Sequence, residues 1–528
     1  MQSVRVVWVA FVAVLVVTLC VVGLNFTALV ITSSDTRPVA ASSSARPASS
    51  SSGARPARAN NAPQEDTIEQ YRPPAFELTA DAAALGQRTV SCPLYSGPGY
   101  NKLRHASREI SVPAFEAPFV ARPKPPEMKL EPLPPADVRL RAGSSFEAAF
   151  RTNHQYLLSV DTDALLLSWR LNAPGGRWPK GSFRLMGWEH TGSELRGHFL
   201  GHWLSAAAIT FAATGDRLLE DRMREVVERL SGVGQAHASG YLSAFPESFL
   251  ERLEAITQVW APYYTIHKLL AGLLQQFTLA GSASALALSE RLAAYIDGRV
   301  QKLIASKSLH YHFETLNQEC GGINEGLWTL AALTDQPRHR SLASLFDKPC
   351  LLGPLAGGRD ELSGMHGNTA LALLLGAARR YEVTGEAHFH SLSSRFFAMV
   401  QAQRTFATGG STANELWEKP GLLGHTVSDD AGPRAFEHAE SCTTHNMVRL
   451  ASKLLRASGG ELRYADFIER ALLNGVMGTQ RGEEPGAARC STRYSPLTTH
   501  YSPHTTHYSP HTTRHTLLTT HHSLLATH

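Results

Sequence analysis

The sequence predicts an all-α fold in which helical hairpins are arranged as a toroid. From residue 144 onward, apolar side chains recur at helical spacing in one segment after another. Short breaks join these segments, and in most of them a glycine suited to end one helix precedes an Asp, Glu or Ser suited to begin the next. Because no strand-rich block separates the hairpins in the sequence, the pattern favours an (α/α) barrel, with a plain helical solenoid as the alternative.

Each predicted helix is an amphipathic stretch with apolar residues three and four positions apart. The predicted helices span 146–171, 195–213, 218–230, 263–279, 285–303, 325–333, 342–346, 369–381, 389–405, 446–455 and 464–475. Together they define a predicted helical domain over residues 144–486.

The composition excludes some classes of protein. The chain has 528 residues, 43% of them hydrophobic, so it can bury a large core. The formal net charge of +4 is small for this length, and nucleic-acid binding is not predicted. The six cysteines are widely spaced without a C-x-x-C pair, which argues against a dense disulfide framework. A surface disulfide is compatible with secretion.

The N-terminal region indicates the secretory pathway. Residues 6–24 form an uninterrupted apolar run, long enough to span a bilayer core of about 30 Å. We predict that residues 1–32 are an uncleaved signal anchor, with a cleaved signal peptide as the close alternative. Either way the rest of the chain is lumenal, anchored in a Golgi-like membrane, or secreted.

Three further segments are not predicted to fold independently. Residues 33–75 are rich in Ser, Ala, Pro and Arg and are predicted to be a disordered stem. Residues 76–143 are rich in proline and are predicted to be an extended segment that wraps a domain. Residues 487–528 form a low-complexity tail of His, Thr and Ser, in which T-H-Y-S-P-H-T-T is repeated.

Two histidines lie on one predicted helix. His198 and His202 are four residues apart in L-R-G-H-F-L-G-H-W, so their rings share a face. We predict that they line a substrate pocket. A metal pair is disfavoured because the H-E-x-x-H zinc motif is absent from this segment, and the alternative is two polar positions on a partly buried helix.

A cluster of aromatic residues and a histidine begins a later helix. In W-A-P-Y-Y-T-I-H-K, Pro262 suits the first turn and Tyr264 and His267 follow it. Aromatic rings stack on the C–H faces of sugars while polar tips bind hydroxyls, so Tyr264 and His267 are predicted sugar-binding residues. An ordinary helix start with buried tyrosines is an equal alternative.

Two glycine-containing loops add polar groups. In G-M-H-G-N-T, Asn368 or Thr369 suits the helix N-cap, whereas His366 has no expected capping role, and we assign His366 and Asn368 to substrate binding. In T-G-G-S-T-A-N-E-L-W, Glu415 ends a loop of small residues. We interpret it as a general acid whose pKa is raised by burial beside Trp417, itself a predicted substrate-binding residue. A solvated loop glutamate is the alternative.

A carboxylate and a thiol lie two residues apart before an apolar helical run. Glu440 and Cys442, in E-S-C-T-T-H-N-M, are suited to give zinc an oxygen and a sulfur ligand. Two ligands do not make a zinc site, so at least one more must come from elsewhere. The alternative is a helix start with Thr443 or Thr444 as N-cap and Cys442 as a small buried residue.

These motifs occur in an order that resembles glycoside hydrolase family 127, the β-L-arabinofuranosidase-like proteins. G-W-E at 187–189, G-Y-L-S-A-F-P at 240–246 and G-G-I-N-E at 321–325 also carry the resemblance, which covers roughly residues 140–485. It implies an (α/α)6 barrel followed by β-sandwich domains, a carbohydrate or glycoprotein substrate, and zinc as cofactor.

The resemblance also implies roles for individual residues. Glu415 matches the acid/base, Glu440 and Cys442 match zinc ligands, and His267 and His366 match histidines of the sugar pocket. In that family a zinc-bound cysteine thiolate attacks the anomeric carbon, and hydrolysis proceeds with retention. The implied substrates are β-L-arabinofuranosides of glycoproteins or cell-wall glycans.

The chain departs from the family pattern after Gly486. The family has a Cys-Cys pair downstream of the E-x-C helix, one cysteine being the nucleophile and both ligating zinc, whereas Cys490 is a single cysteine in an unrelated context. One hypothesis is therefore a secreted or lumenal arabinofuranosidase that lacks the nucleophile in this sequence. A second is an inactive, membrane-anchored carbohydrate-binding paralogue or a truncated fragment. A third is a helical scaffold with no sugar function.

Overall fold

Helices dominate the computed structural model, which describes residues 87–93, 107–113, 124–177, 187–427 and 438–479. The predicted N-terminal anchor, the disordered stem and the low-complexity tail lie outside these residues. Every helix in the described part of the chain falls short of the combined length and apolar character that a bilayer crossing needs. The described residues belong to one compact unit.

One antiparallel hairpin precedes a long succession of helices in the described residues. Strand β1 (Gln87–Pro93) pairs with β2 (Ser107–Pro113). The α-helices are α1 (Ser145–Ser159), α2 (Thr162–Leu165), α3 (Leu167–Asn172), α4 (His198–Thr214), α5 (Arg217–Ala236), α6 (Ser248–Glu254), α7 (Pro262–Ala280), α8 (Ala283–Ser306), α9 (Leu309–Gln318), α10 (Ile323–Thr334), α11 (Pro337–Ser344), α12 (Pro349–Ala356), α13 (Gly367–Thr384), α14 (Ala387–Gln403), α15 (Ser441–Ser458) and α16 (Leu462–Ala471).

Neighbouring helices pair as α4 with α5, α7 with α8, α10 with α11, α13 with α14 and α15 with α16. The first helices of these pairs also contact one another in chain order, from α4 through α7, α10 and α13 to α15. Apolar residues of these helices share a single hydrophobic core. The first helices of the pairs therefore lie side by side along this succession.

The breaks between paired helices have the predicted chemistry. Gly215, Gly281, Gly385 and Gly459 end α4, α7, α13 and α15 in the left-handed conformation, which glycine adopts without steric cost. Asp216 then caps α5, and its side chain accepts hydrogen bonds from the second and third residues of that helix. The local sequence at the breaks is therefore sufficient to determine these hairpins.

Other helix predictions were wrong in detail. The predicted helix over 146–171 is divided into α1, α2 and α3, because Asp161 begins a new helix by capping α2. The predicted segment 342–346 overlaps only the end of α11. Helices α6, α9 and α12 were not predicted, and in α12 the prolines at Pro349 and Pro354 obscured the helical pattern.

Helices α4 and α7 cross at very short range. A Cβ atom added to Gly201 would lie 2.1 Å from the main-chain carbon and oxygen of Lys268, and one added to Gly272 would lie 2.6 Å from the oxygen of Gly201. Glycine is required on both helices because any side chain would separate them. This crossing fixes the positions of His267 and Lys268, which lie on α7, relative to α4.

A disulfide ties the hairpin to the helical domain. Cys92 on β1 is bonded to Cys350 on α12, 258 residues away in the sequence. Farther along, Arg456 donates a hydrogen bond to the carbonyl oxygen of Leu130 over 3.3 Å, so the proline-rich segment contacts α15. These contacts fit a wrapping segment, while the full predicted range 76–143 stays a prediction.

Candidate active site

Two loops meet at the start of α13 and bring a histidine to a carboxylate. The Gly367 amide donates to the carbonyl of Glu415 over 2.7 Å, and the Trp417 amide donates to the carbonyl of Met365 over 2.9 Å. These main-chain bonds hold the two loops in antiparallel register. As a result, the Nε2 atom of His366 lies 3.1 Å from Oε2 of Glu415.

The Glu415 loop has an unusual backbone. Thr412, Asn414 and Glu415 have φ angles of 68°, 49° and 66°, and Ala439, in the adjoining segment, has a φ of 54°. Side chains with a Cβ rarely adopt this left-handed region, and such strain is often concentrated at functional sites. The segments support each other, since the Ala439 amide donates to the Thr412 carbonyl over 3.2 Å.

His366 and Glu415 form a charged pair. The hydrogen bond from His366 lowers the pKa of Glu415, and burial only partly opposes this effect. Burial lowers the pKa of His366, but the hydrogen bond to Glu415 and the charges of Glu415 and Glu440 outweigh it and raise that pKa overall. The pair therefore favours a proton on His366 and a negative charge on Glu415.

Two sequence-based expectations about this pair were wrong. The pKa of Glu415 is lowered, not raised, because His366 is its close partner and Trp417 is not. The Trp417 side chain is only 1% exposed and packs edge-on against Phe396 in the core, with ring centroids 5.7 Å apart. His366 also occupies the N-cap of α13, where its Nδ1 atom accepts a hydrogen bond from the Thr369 amide over 3.4 Å while that nitrogen carries no proton. Protonation of His366 therefore gives up this long bond.

Glu440 and Cys442 lie at the start of α15. Glu440 occupies the N-cap position and accepts a hydrogen bond from Thr443 Oγ1 over 3.0 Å, so neither Thr443 nor Thr444 is the N-cap. Burial raises the pKa of Glu440, and the charge of Glu415 adds to the effect, while hydrogen bonds from Cys442 and Thr443 oppose it. The acidic loop and the thiol-bearing corner thus meet at one place.

The described donors do not complete a metal site. Among the described residues, no group of three or more His, Cys, Asp or Glu side chains is positioned to hold a metal ion. Glu440 and Cys442 offer one oxygen and one sulfur, whereas an open zinc site uses three protein ligands and a closed one four. On the described residues alone, the donor set does not fit zinc.

Tyr264 and Asn368 lie beside this corner. Asn368 Nδ2 donates to the Tyr264 hydroxyl oxygen over 2.7 Å. Burial raises the pKa of Tyr264 well above its ordinary value, and the charges of Cys442 and Glu440 add to that effect. The phenol therefore stays protonated, and its ring is half-buried.

His267 packs beneath the tyrosine. Its ring meets that of Tyr264 edge-on with centroids 5.0 Å apart, and its Nδ1 atom accepts a hydrogen bond from the Gly322 amide over 3.3 Å. Burial, assisted by Lys268 and His202, keeps the pKa of His267 well below its ordinary value. A neutral ring at this depth can donate or accept a hydrogen bond without bringing a charge.

His198 and His202 have different surroundings. His198 Nδ1 lies 2.9 Å from Glu189, whose carboxylate also accepts from the amides of Gly197 and Phe199 at the start of α4. His198 is therefore part of the structure that begins this helix. The ring of His202 meets that of His198 edge-on, with centroids 5.8 Å apart, and His202 also helps to lower the pKa of His267.

Several residues of this region were not assigned a role from the sequence. The ammonium of Lys268 lies 4.7 Å above the Tyr264 ring, and Asn446 and Arg449 contact the site from α15. All three lie in or beside quoted motifs. The spacing of Asn446 and Arg449 on one face of an inner helix was a signal, because buried polar residues at helical spacing usually bond to one another.

Comparisons with known proteins agree with the motif order. The model of the β-L-arabinofuranosidase GH127 catalytic domain matches residues 137–514, a range that continues past Gly486. No curated protein matches the chain.

Solved structures similar to the chain include a GH127 β-L-arabinofuranosidase from Geobacillus stearothermophilus T6, at 18% identity with a TM-score of 0.47, covering 64% of this chain and 54% of that one. A GH127 β-arabinofuranosidase has 15% identity and a TM-score of 0.47, covering 68% and 57% of the two chains. A structure described as a glycoside hydrolase has 16% identity and a TM-score of 0.42, covering 54% and 47%. The chain thus spans about half the length of the solved structures that it matches.

Proposed function

Because the chain belongs to the GH127 β-L-arabinofuranosidase family, we propose that it is a glycoside hydrolase acting on β-L-arabinofuranosides of glycoproteins or cell-wall glycans. We propose further that its paired helices belong to an (α/α)6 barrel. One observation carries the functional proposal: the Glu415 carboxylate, hydrogen-bonded to His366, lies within electrostatic reach of the buried Glu440, and the charges of Glu415, Glu440 and Cys442 all act on Tyr264.

The proposed sugar pocket combines an aromatic ring with hydrogen-bonding groups. Tyr264 offers a half-buried ring for the C–H face of a sugar, and Asn368 holds its hydroxyl group in place. His267 supplies a neutral ring below it, and His202 is a further imidazole of the proposed pocket. We keep His198 as a more distant wall residue and Trp417 as support for the loop, because Trp417 is buried in the core.

The proposed acid/base function belongs to the His366–Glu415 pair. The pair holds one proton, which rests on His366 in the free protein. As negative charge develops on the leaving oxygen, Glu415 is positioned to pass on the proton supplied by His366, and the carboxylate can later take a proton from water. A shared proton lets one carboxyl group act as both acid and base near neutral pH.

Zinc remains a proposal with two candidate ligands, Glu440 and Cys442. Zinc bound there would favour the thiolate form of Cys442. The proposed acid/base roles of Glu415 and His366 do not depend on zinc, and this sequence contains no adjacent Cys-Cys pair to match the nucleophile of the family.

We also propose that the chain acts in the secretory pathway, either anchored through residues 1–32 or secreted. The Cys92–Cys350 disulfide supports this location, since structural disulfides persist mainly in oxidising compartments.

The test uses the full chain and para-nitrophenyl β-L-arabinofuranoside, with nitrophenol release measured with and without added zinc. We expect turnover that Glu415→Gln abolishes, because the amide keeps the shape but cannot transfer a proton. Glu418→Gln, in the same loop, is the matched control and should retain activity. Equal loss in both variants would contradict the role of Glu415.

The incomplete donor set favours a second candidate, carbohydrate binding without turnover. Titration calorimetry with methyl β-L-arabinofuranoside separates the two. Binding that requires Tyr264, without any release of nitrophenol, would support the second candidate, and measurable turnover would exclude it.

A further inference from the structure

A line of hydrogen bonds runs from the proposed sugar pocket into the interior of the helical domain. Asn368 Nδ2 donates to the Tyr264 hydroxyl, Asn446 Nδ2 donates to Asn368 Oδ1, and Arg449 Nη1 donates to Asn446 Oδ1 over 3.3 Å. Asn368, Asn446 and Arg449 are all buried. We call Asn368, Asn446 and Arg449 the relay. These residues connect α13 and α15.

The direction of the relay is fixed by the chemistry of its inner end. A guanidinium group can only donate hydrogen bonds, so Asn446 must turn its carbonyl oxygen toward Arg449. Its amide nitrogen then faces Asn368, which must present its own carbonyl oxygen there. The donor-only guanidinium of Arg449 therefore determines the orientation of the side-chain amides of Asn446 and Asn368. The assignment of nitrogen and oxygen in each amide follows from the hydrogen bonds alone.

The inner end of the relay is itself held firmly. Arg449 Nη2 lies 2.8 Å from both carboxylate oxygens of Glu325 on α10, and Lys453 lies 3.7 Å from Glu325. Charge-assisted bonds of this kind are stronger and better oriented than neutral ones. Arg449 consequently cannot turn away from Asn446 without breaking a part-buried ion pair.

The outer end of the relay leaves one donor unused. The Tyr264 hydroxyl oxygen accepts from Asn368, so the hydroxyl hydrogen points elsewhere, and within the described ranges no protein acceptor receives it. The ring is confined by His267 at its edge and by the Lys268 ammonium over its face. The hydroxyl is therefore a fixed donor within electrostatic reach of Glu415, Glu440 and Cys442.

We propose that Asn446 and Arg449 are positioning residues that commit the Tyr264 hydroxyl to donating a hydrogen bond to an acceptor oxygen of the bound sugar. This inference rests on the proposed function for the identity of the ligand, but the direction of the relay stands without it. The relay selects a sugar that presents a lone pair at this point over an analogue that lacks the oxygen.

The direction can be tested without any sugar. In Asn446→Asp, one carboxylate oxygen still accepts from Arg449, while the other faces Asn368 and makes that amide rotate. Asn368 then presents its oxygen to Tyr264, whose hydroxyl must donate to the protein. The Fermi doublet of tyrosine in the Raman spectrum distinguishes a phenol that donates a hydrogen bond from one that accepts it. To isolate the signal of Tyr264, the spectrum of Tyr264→Phe is subtracted from that of the wild type, and the spectrum of the double variant from that of Asn446→Asp.

We expect an accepting Tyr264 in the wild type and a donating one in Asn446→Asp. Asn317→Asp makes the same change at a buried asparagine outside the relay and should leave the signal unchanged. Arg449→Lys keeps a donor-only group and should retain the wild-type signal if the variant folds, which far-ultraviolet circular dichroism checks. An unchanged Tyr264 signal in folded Asn446→Asp would overturn the proposed direction.

The sugar is tested by calorimetry with methyl β-L-arabinofuranoside. Tyr264→Phe should weaken binding by about 2- to 12-fold, the range for one hydrogen bond. Asn446→Asp should weaken it similarly, but should have no further effect in the Tyr264→Phe background, because both changes remove the same donor. If Asn446→Asp weakened binding equally in the wild type and in Tyr264→Phe, the relay would have only a structural role.

Absence of binding by the wild type would contradict the proposed function and the sugar as acceptor. In that case the Raman comparison still decides the direction of the relay, so the two failures are distinguishable.

Discussion

Gly201→Ala should destabilise the protein, although alanine favours helices. Gly201 lies inside α4, where it faces the main chain of Lys268 on α7. In an isolated helix this substitution stabilises by about 1 kcal/mol. Here the added Cβ would lie 2.1 Å from the main-chain carbon and oxygen of Lys268 and 2.5 Å from the amide nitrogen of Leu269.

The size of the effect follows from those distances. Carbon atoms in contact prefer a separation of about 3.5–4.0 Å, so α4 and α7 must separate by roughly 1 Å or more. Overpacking of this kind costs about 1–3 kcal/mol, and the upper end applies because the clash is with backbone, which cannot rotate away. After the gain in helix propensity is subtracted, we expect a net loss of about 2 kcal/mol in the free energy of unfolding.

Urea unfolding followed by circular dichroism measures the difference, and Gly232→Ala provides the matched control. Gly232 lies in α5, and an added Cβ there meets nothing within 4 Å. That variant should be stabilised by about 0.5–1 kcal/mol. The shift of α7 in Gly201→Ala should also weaken sugar binding, because α7 carries His267. A Gly201→Ala protein as stable as the wild type would refute the close crossing of the two helices.

Three further predictions concern the disulfide, the charged pair and zinc. Replacing Cys92 and Cys350 together by alanine should cost about 2–5 kcal/mol of unfolding free energy, and a reducing agent should lower the stability of the wild type but not of this variant. The loss of stability caused by His366→Gln should be largest between pH 4.5 and pH 6.5, the ordinary pKa values of Glu415 and His366. Above this range the contribution of His366 fades as pH rises, because its pKa is raised in the folded protein. Below it the contribution of Glu415 fades as pH falls, because its pKa is lowered. Unfolding measured across pH 4–9 tests this, and a pH-independent difference would contradict the ion pair. If further ligands from outside the described residues complete a zinc site with Glu440 and Cys442, a chelator should lower the melting temperature and Cys442→Ser should abolish that decrease. A melting temperature that the chelator leaves unchanged would contradict the proposed zinc.

The helical hairpins could be predicted because their signals are local. Gly215 and Asp216 stand next to each other and determine where one helix ends and the next begins. The predicted mainly helical fold is confirmed for the described residues, and family membership is confirmed by the match to residues 137–514. Helix α12 was missed because its prolines suggest a break in the helical pattern. In the folded protein, packing of its buried residues stabilises the helix despite these prolines.

The candidate site could be predicted only as a set of residues. Motif order identified Glu415, Glu440, Cys442 and His366, and a local aromatic cluster indicated Tyr264. The structure brings these residues together, and their roles stay predictions. Sequence reasoning placed Trp417 next to Glu415 because the two are close in the chain, but the loop turns the indole into the core. Neighbours in sequence often face opposite sides of a loop.

Sequence alone determined which residue types are present and where the helices of the capped hairpins begin and end, since caps and helical spacing act over a few residues. Only the tertiary structure decided that His366, 49 residues from Glu415, lowers its pKa, and that Arg449 on α15 sets the direction of the bonds reaching Tyr264 on α7. The physical reason is that the charge state of a group and the direction of its hydrogen bonds depend on burial and on through-space neighbours. Those neighbours come together only when separate helices pack.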